Sequence, residues 1–305
     1  MFIGDSFVEG FMAADDETIP GGFERASAVY EDPIEAMNLG TGASGVDEYM
    51  AVIGDAVPLF RPQTVILVLY ANDFGPNKVS EDSLDTATAA IRINPYLPRL
   101  YQVMSKLVKG DSIATRWSKK PFLFLPTSAS ARSPLHDDDF VEHVRNFVSP
   151  RILESMKRGH FNPFVINEYT NYKAFLSRTA DMSNVIEHTR NFVKAHGSKL
   201  MVVHVPYKGQ VSDYYLEYVK QYDENKRPTS LMMDEYQRHA ESLRVACEQF
   251  DVPFLDVTAT LRQHEADGQR MYWNYDEHMK ASSYLIIGEE IHKFWRNTDS
   301  QAAGN

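Results

Sequence analysis

Asp5-Ser6 follow Phe2-Ile3-Gly4, a run that reads as a short strand. Far along the chain, Asp276-Glu277-His278 precede a segment with helical spacing of apolar residues. Between them lie the glycine-rich "NLGTGASG" (38–45) and the pair Asn72-Asp73, each directly after an apolar stretch. These supply a hydroxyl, an imidazole, carboxylates, an amide and pliable backbone, the parts that acyl transfer needs. A serine hydroxyl is a weak nucleophile until an imidazole takes its proton, and the imidazole needs a carboxylate to fix its tautomer. The tetrahedral oxyanion then needs N–H donors. Taken singly, each piece is ordinary: Gly-Asp-Ser is a turn with a helix cap, Asn-Asp a turn, Asp-x-His a cap beside a surface histidine. Their order and their places at element ends carry the argument.

Apolar runs define the elements that must position these groups. "TVILVLYA" (64–71) and "KLMVVHVP" (199–206) have almost no polar alternation, the habit of parallel strands buried on both faces. Shorter candidates are residues 2–4, 36–40 and 252–257, and helical spacing predicts helices over 45–57, 183–197, 232–250 and 280–295. Strands alternating with helices imply βαβ units and one parallel sheet of about five strands. We read residues 1–305 as one α/β domain, with 74–198 as a helical insertion leaving the end of the 64–71 strand and overhanging the site as a lid. Within it, "PFLFLP" (121–126) reads as buried, and "HDDDFVEH" (136–143) as a solvated helix start rather than a metal site.

The ordered set resembles the SGNH-hydrolase superfamily, the GDSL-type esterases and lipases. Gly4-Asp5-Ser6 match its first block, with Phe7 where the founding motif has Leu. "NLGTGASG" matches the second. Tyr70-Ala71-Asn72-Asp73 match the third, Gly-x-Asn-Asp, with Tyr70 replacing its glycine. Asp276 and His278 match the last, with one intervening residue where two are familiar. The likeness covers much of residues 2–75 and resumes at 202–211 and 271–293.

The resemblance implies Ser6 as nucleophile, His278 as general base and then acid, and Asp276 as the orienter, preferred over Glu277. It implies an oxyanion hole from the Ser6 N–H, a backbone N–H at Gly42 or Ala43, and the Asn72 side chain. It implies a three-layer α/β/α flavodoxin-like fold and no metal or organic cofactor. Asp5, Asp73, His204 and Lys208, at or near strand ends, are candidate substrate contacts; His204, within an apolar strand, reads as a satisfied core or pocket-wall residue rather than a catalyst. The expected activity is hydrolysis of an O-acetyl or short acyl ester of a carbohydrate or small molecule, with lysophospholipid esters within the family's range. The alternatives are an O-acyltransferase acting on a sugar hydroxyl and a catalytically silent binding module.

Composition narrows the classes. The 305 residues carry a formal net charge of −11, which excludes the basic face of a nucleic-acid binder. The expected partner is a small-molecule, carbohydrate or lipid ester, with no nucleic acid and no firm membrane association; oligomeric state is not legible. Cys247 is the single cysteine, so no internal disulfide forms, and it reads as a small core residue. No apolar run reaches the roughly 18 residues of a membrane span, and no signal peptide precedes Phe2. The visible sequence therefore reads as cytoplasmic, with export or anchoring the alternative if residues precede Met1, as the brevity of the first strand suggests.

Overall fold

The computed structural model describes residues 1–30, 33–42, 44–73, 182–215, 229–273 and 277–303. Residues 74–181, and with them "PFLFLP" and "HDDDFVEH", lie outside the described residues, as do Ala43 and Asp276.

Five strands form one parallel sheet in the order β2-β1-β3-β4-β5: β1 (Phe2–Gly4), β2 (Asn38–Gly40), β3 (Thr64–Tyr70), β4 (Lys199–Val205) and β5 (Phe254–Asp256). β3 and β4 pair over their full length, from Thr64 opposite Lys199 to Tyr70 opposite Val205. Strand side chains alternate in direction, so each strand feeds two cores. Phe2, Ile66, Val68, Met201 and Val203 face α2 (Ile19–Ser27), α7 (Thr258–Ala266) and α8 (Ala281–Ala303), where Ile19, Phe23, Leu261, Tyr284 and Ile287 are buried. Ile3, Val65, Leu67, Leu200 and Val202 face α3 (Val46–Phe60), α4 (Met182–Ala195) and α6 (Thr229–Gln249), meeting Met50, Ile53, Val185, Ile186 and Leu243. This is the expected three-layer α/β/α arrangement. Cys247 is buried in the second core as a free thiol, its pKa pushed up to about 12, by burial first and then by Glu248.

Two features differ from expectation. α4, counted at the sequence level inside the insertion, buries Met182, Val185, Ile186, Thr189 and Val193 as part of the sheet's own helix layer. α2 carries Gly21-Gly22, which lowers helix propensity, yet it forms. A Cβ on Gly22 would stand 2.6 Å from the Leu285 carbonyl, and one on Gly288 2.3 Å from the Ile19 carbonyl, so the two glycines let α2 and α8 touch backbone to backbone.

The strand order reverses at β1. β2 lies to one side and β3 to the other. The crevice of an open parallel sheet opens at the carboxyl ends of strands flanking such a reversal. Ser6 leaves β1 there, and the Ala71–Asp73 turn leaves β3.

Candidate active site

α1 (Ser6–Glu9) starts at the nucleophile candidate because Asp5 caps it: the Asp5 carboxylate accepts the Phe7 N–H at 2.9 Å. The Asp5 cap holds Ser6 at the first helical position, half-buried at the crevice. His278 arrives from the opposite end of the chain. Its Nε2 lies 2.6 Å from Ser6 Oγ. The imidazole sits beside Phe11 (ring centroids 4.4 Å) and Phe7 (5.2 Å), and Phe7 stacks on Tyr70 at 4.1 Å. Tyr70, which stands where the family motif has glycine, thus backs the wall behind the histidine.

The segment that presents His278 is bolted down from below. Tyr272 and Met279 form an antiparallel bridge, and the Trp273 N–H donates to the His278 carbonyl at 3.1 Å. Glu265, buried on α7, accepts the Met271 N–H at 2.7 Å, the Tyr215 hydroxyl, and Arg270 at 2.6 Å. Tyr215 Oη in turn accepts the Tyr272 N–H at 3.0 Å, and the Tyr272 hydroxyl donates to the Pro206 carbonyl at 2.6 Å. Burial first, and then the Glu265 carboxylate, push the Tyr215 phenol well above its ordinary range, so it remains a donor.

A family model described as an SGNH hydrolase-like domain, acetyltransferase AlgX, matches residues 164–301. That stretch carries β4, β5, α8 and His278. Over those residues, under half of the chain, the protein is similar to the SGNH hydrolases. The all-parallel five-stranded sheet among the described residues agrees with the three-layer fold of such a domain. The match supports acyl-related enzyme chemistry. No curated protein sequence matches the chain. One solved crystal structure aligns over 97% of this chain and 96% of its own at 10% identity and a TM-score of 0.40, a likeness too loose to bear on fold or function.

Within this site the sequence-derived residues fall into three groups. Ser6 and His278 are brought together. Asp276 and Ala43 lie outside the described residues, and Asn72 is placed in the Ala71–Asp73 turn without description of its side chain. The four candidate substrate contacts are all buried and engaged within the fold. Asp5 is the α1 cap. Asp73 accepts the Tyr49 hydroxyl at 2.7 Å and the Tyr70 N–H at 2.8 Å, tying α3 to the end of β3. Burial first, and then the charge of Asp5, raise the Asp73 carboxyl well above the usual carboxylate range. Lys208, fully buried, donates from Nζ to the Trp273 carbonyl at 3.3 Å and so grips the His278 segment from inside. His204 Nδ1 lies 3.2 Å from Asp256 Oδ1 across β4 and β5.

Burial would push the Asp256 carboxyl up, but His204 and both the hydroxyl and N–H of Thr258 outweigh it and hold the group at about 2. A depressed carboxyl contributes stability above its unfolded value of 3.8 and loses it as pH falls from there toward 2. Asp256→Asn is expected to lower the melting temperature between pH 5 and 7 and to flatten its decline from about pH 4 to pH 2. Thermal melts across that range check this.

Glu9 was not foreseen. It stands one helical turn after Ser6, and its Oε2 accepts the Gly42 N–H at 2.6 Å. The available signal was the capping pattern at Asp5, which starts a helix and puts position 9 above Ser6.

Proposed function

We propose that the protein forms an acyl-enzyme on Ser6 and passes the acyl group to water, acting as a carboxylic-ester hydrolase on O-acetyl or short acyl esters of a carbohydrate or small molecule. The observation carrying this reading is the 2.6 Å contact between Ser6 Oγ and His278 Nε2 at the strand-order reversal. In this mechanism His278 takes the Ser6 proton as Oγ attacks the ester carbonyl. The tetrahedral intermediate collapses, His278 gives the proton to the departing alcohol, and the acyl group stays on Oγ. Water, deprotonated by the same imidazole, then releases the acid. Asp276 orients the imidazole.

The oxyanion donors are the Ser6 N–H, the Asn72 amide and one N–H of the turn after β2. Gly42 and Ala43 are the two candidates for that N–H. The Thr41 N–H goes to the Gly4 carbonyl, Gly42 to Glu9, Ser44 to the Thr41 carbonyl and Gly45 to Glu48.

A second reading, transfer of the acyl group to a sugar hydroxyl, draws support from the matched family's description as an acetyltransferase. Hydrolysis of p-nitrophenyl esters from acetyl to decanoyl, with and without a carbohydrate acceptor, separates the two. A Ser6-dependent rate peaking at acetyl and unaffected by the acceptor is expected. A rate that rises severalfold on adding the acceptor, with acylated sugar as product, assigns acyl transfer. Absence of Ser6-dependent turnover and of fluorophosphonate labelling overturns both.

A further inference from the structure

We infer that Glu9 is a positioning residue for the oxyanion turn, an assignment that rests on the Ser6 acyl-enzyme reading. The end of β2 and the helical turn that starts at Ser6 meet backbone to backbone at Gly40, and the Glu9 side chain reaches the turn at Gly42. A Cβ on Gly40 would stand 2.1 Å from the Glu9 nitrogen; one on Gly42 would stand 2.5 Å from Glu9 Oε2 and 3.9 Å from Ser6 Cβ. The Gly-x-Gly spacing in "NLGTGASG" is therefore the imprint of α1 on the turn. Hydrogen bonds then lock the contact: Thr41 N–H to the Gly4 carbonyl at 3.0 Å, and Gly42 N–H to Glu9 Oε2 at 2.6 Å. The second has the length of a charge-assisted bond.

Glu9 is exposed, so water competes for both partners and the long side chain loses freedom in making this bond. A carboxylate this close to Ser6 also repels the oxyanion that forms there. Its charge opposes the reaction, and its benefit is geometric. Fixing the Gly42 peptide to Glu9 holds the turn after β2 in place beside Ser6. Because the anchor rides on α1, the nucleophile and the turn are set by one rigid piece. A shift of the turn by a fraction of an ångström would lengthen the oxyanion bond while leaving substrate contacts elsewhere intact, so the effect falls on kcat.

The test compares Glu9→Ala, Glu9→Asp and Glu9→Gln. Ala removes the acceptor, Asp shortens the reach by one methylene, and Gln keeps an acceptor oxygen without the charge. Expected are kcat losses of about 10- to 100-fold in Glu9→Ala and Glu9→Asp with KM within about twofold, and recovery to within about threefold of wild type in Glu9→Gln. In glycine-selective ¹⁵N-labelled protein, the Gly42 amide signal should be exchange-protected in wild type and Glu9→Gln and lose protection in Glu9→Ala. A moved Gly42 signal with unchanged kcat overturns the inference. So does a faster Glu9→Ala, which would mean that the carboxylate occupies a donor instead of setting one. Equal losses in Glu9→Gln and Glu9→Ala overturn it too, by assigning the effect to charge. Failure of the underlying reading is separate: wild type would then show neither Ser6-dependent turnover nor Ser6 labelling.

Discussion

Ser6→Ala is expected to lower ester turnover by about 10⁴- to 10⁶-fold and to leave the melting temperature almost unchanged. The serine is half-buried at the crevice, and the cap that starts its helix uses the Asp5 side chain and the Phe7 N–H, neither of which the substitution touches. His278→Ala should fall into the same range, because Oγ without its 2.6 Å imidazole partner keeps its proton at neutral pH. The double variant should be no slower than either single one by more than a few-fold, since two members of one catalytic unit do not add. Steady-state kinetics with fluorophosphonate labelling of all three proteins checks this. Additive losses would mean that the two side chains serve separate steps.

Glu265→Leu should be the most damaging change away from the crevice. Glu265 Oε1 takes both the Tyr215 hydroxyl and the Met271 N–H, and Oε2 takes Arg270. A leucine would leave the Met271 N–H buried without its carboxylate acceptor and the Tyr215 hydroxyl with only the Tyr272 carbonyl at 3.4 Å, at a cost of about 3 kcal/mol, or on the order of 5–10 °C in melting temperature. The same bonds hold the base of the segment that presents His278, so kcat should drop about 10- to 100-fold well below the melting transition. Glu265→Gln keeps Oε1 and gives up only the pairing with Arg270, whose side chain is 40% exposed. It should cost under about 1 kcal/mol and little activity. Melts and kinetics on both variants decide the matter. If Glu265→Gln were as harmful as Glu265→Leu, the ion pair rather than the Oε1 acceptor would hold the segment.

The sequence exposed the parts of this protein whose surroundings repeat along the chain. β3 and β4 were legible because strands covered by helices on both faces are apolar at every position. Ser6 and His278 were legible from motif order. What escaped depends on which element packs on which. α2 was hidden because Gly22 reads as a helix breaker until Leu285 of α8 is known to press against it. α7 was hidden because among its polar residues mainly Leu261 and Glu265 turn inward. The carboxylates Asp5 and Asp73 were visible at strand ends, but nothing local says that a Tyr49 hydroxyl from α3 waits for one of them. Glu9 belongs to the same class: its partner lies 33 positions away, in a turn whose glycines make sense only once α1 is laid on them.

The seam between α2 and α8 has a consequence for how the protein is made. Ser6 and His278 are separated by 272 positions, and the helix that follows His278 packs on the second helix of the chain. At elongation rates of about 5–20 residues per second, roughly 14 to 54 s pass between synthesis of the nucleophile and synthesis of its base. Throughout that interval the growing chain holds Ser6 without His278 and lacks α8. On the proposed mechanism, reactivity is a property that the polypeptide acquires only once the His278 segment and α8 have been made, in the same event that seals the first core.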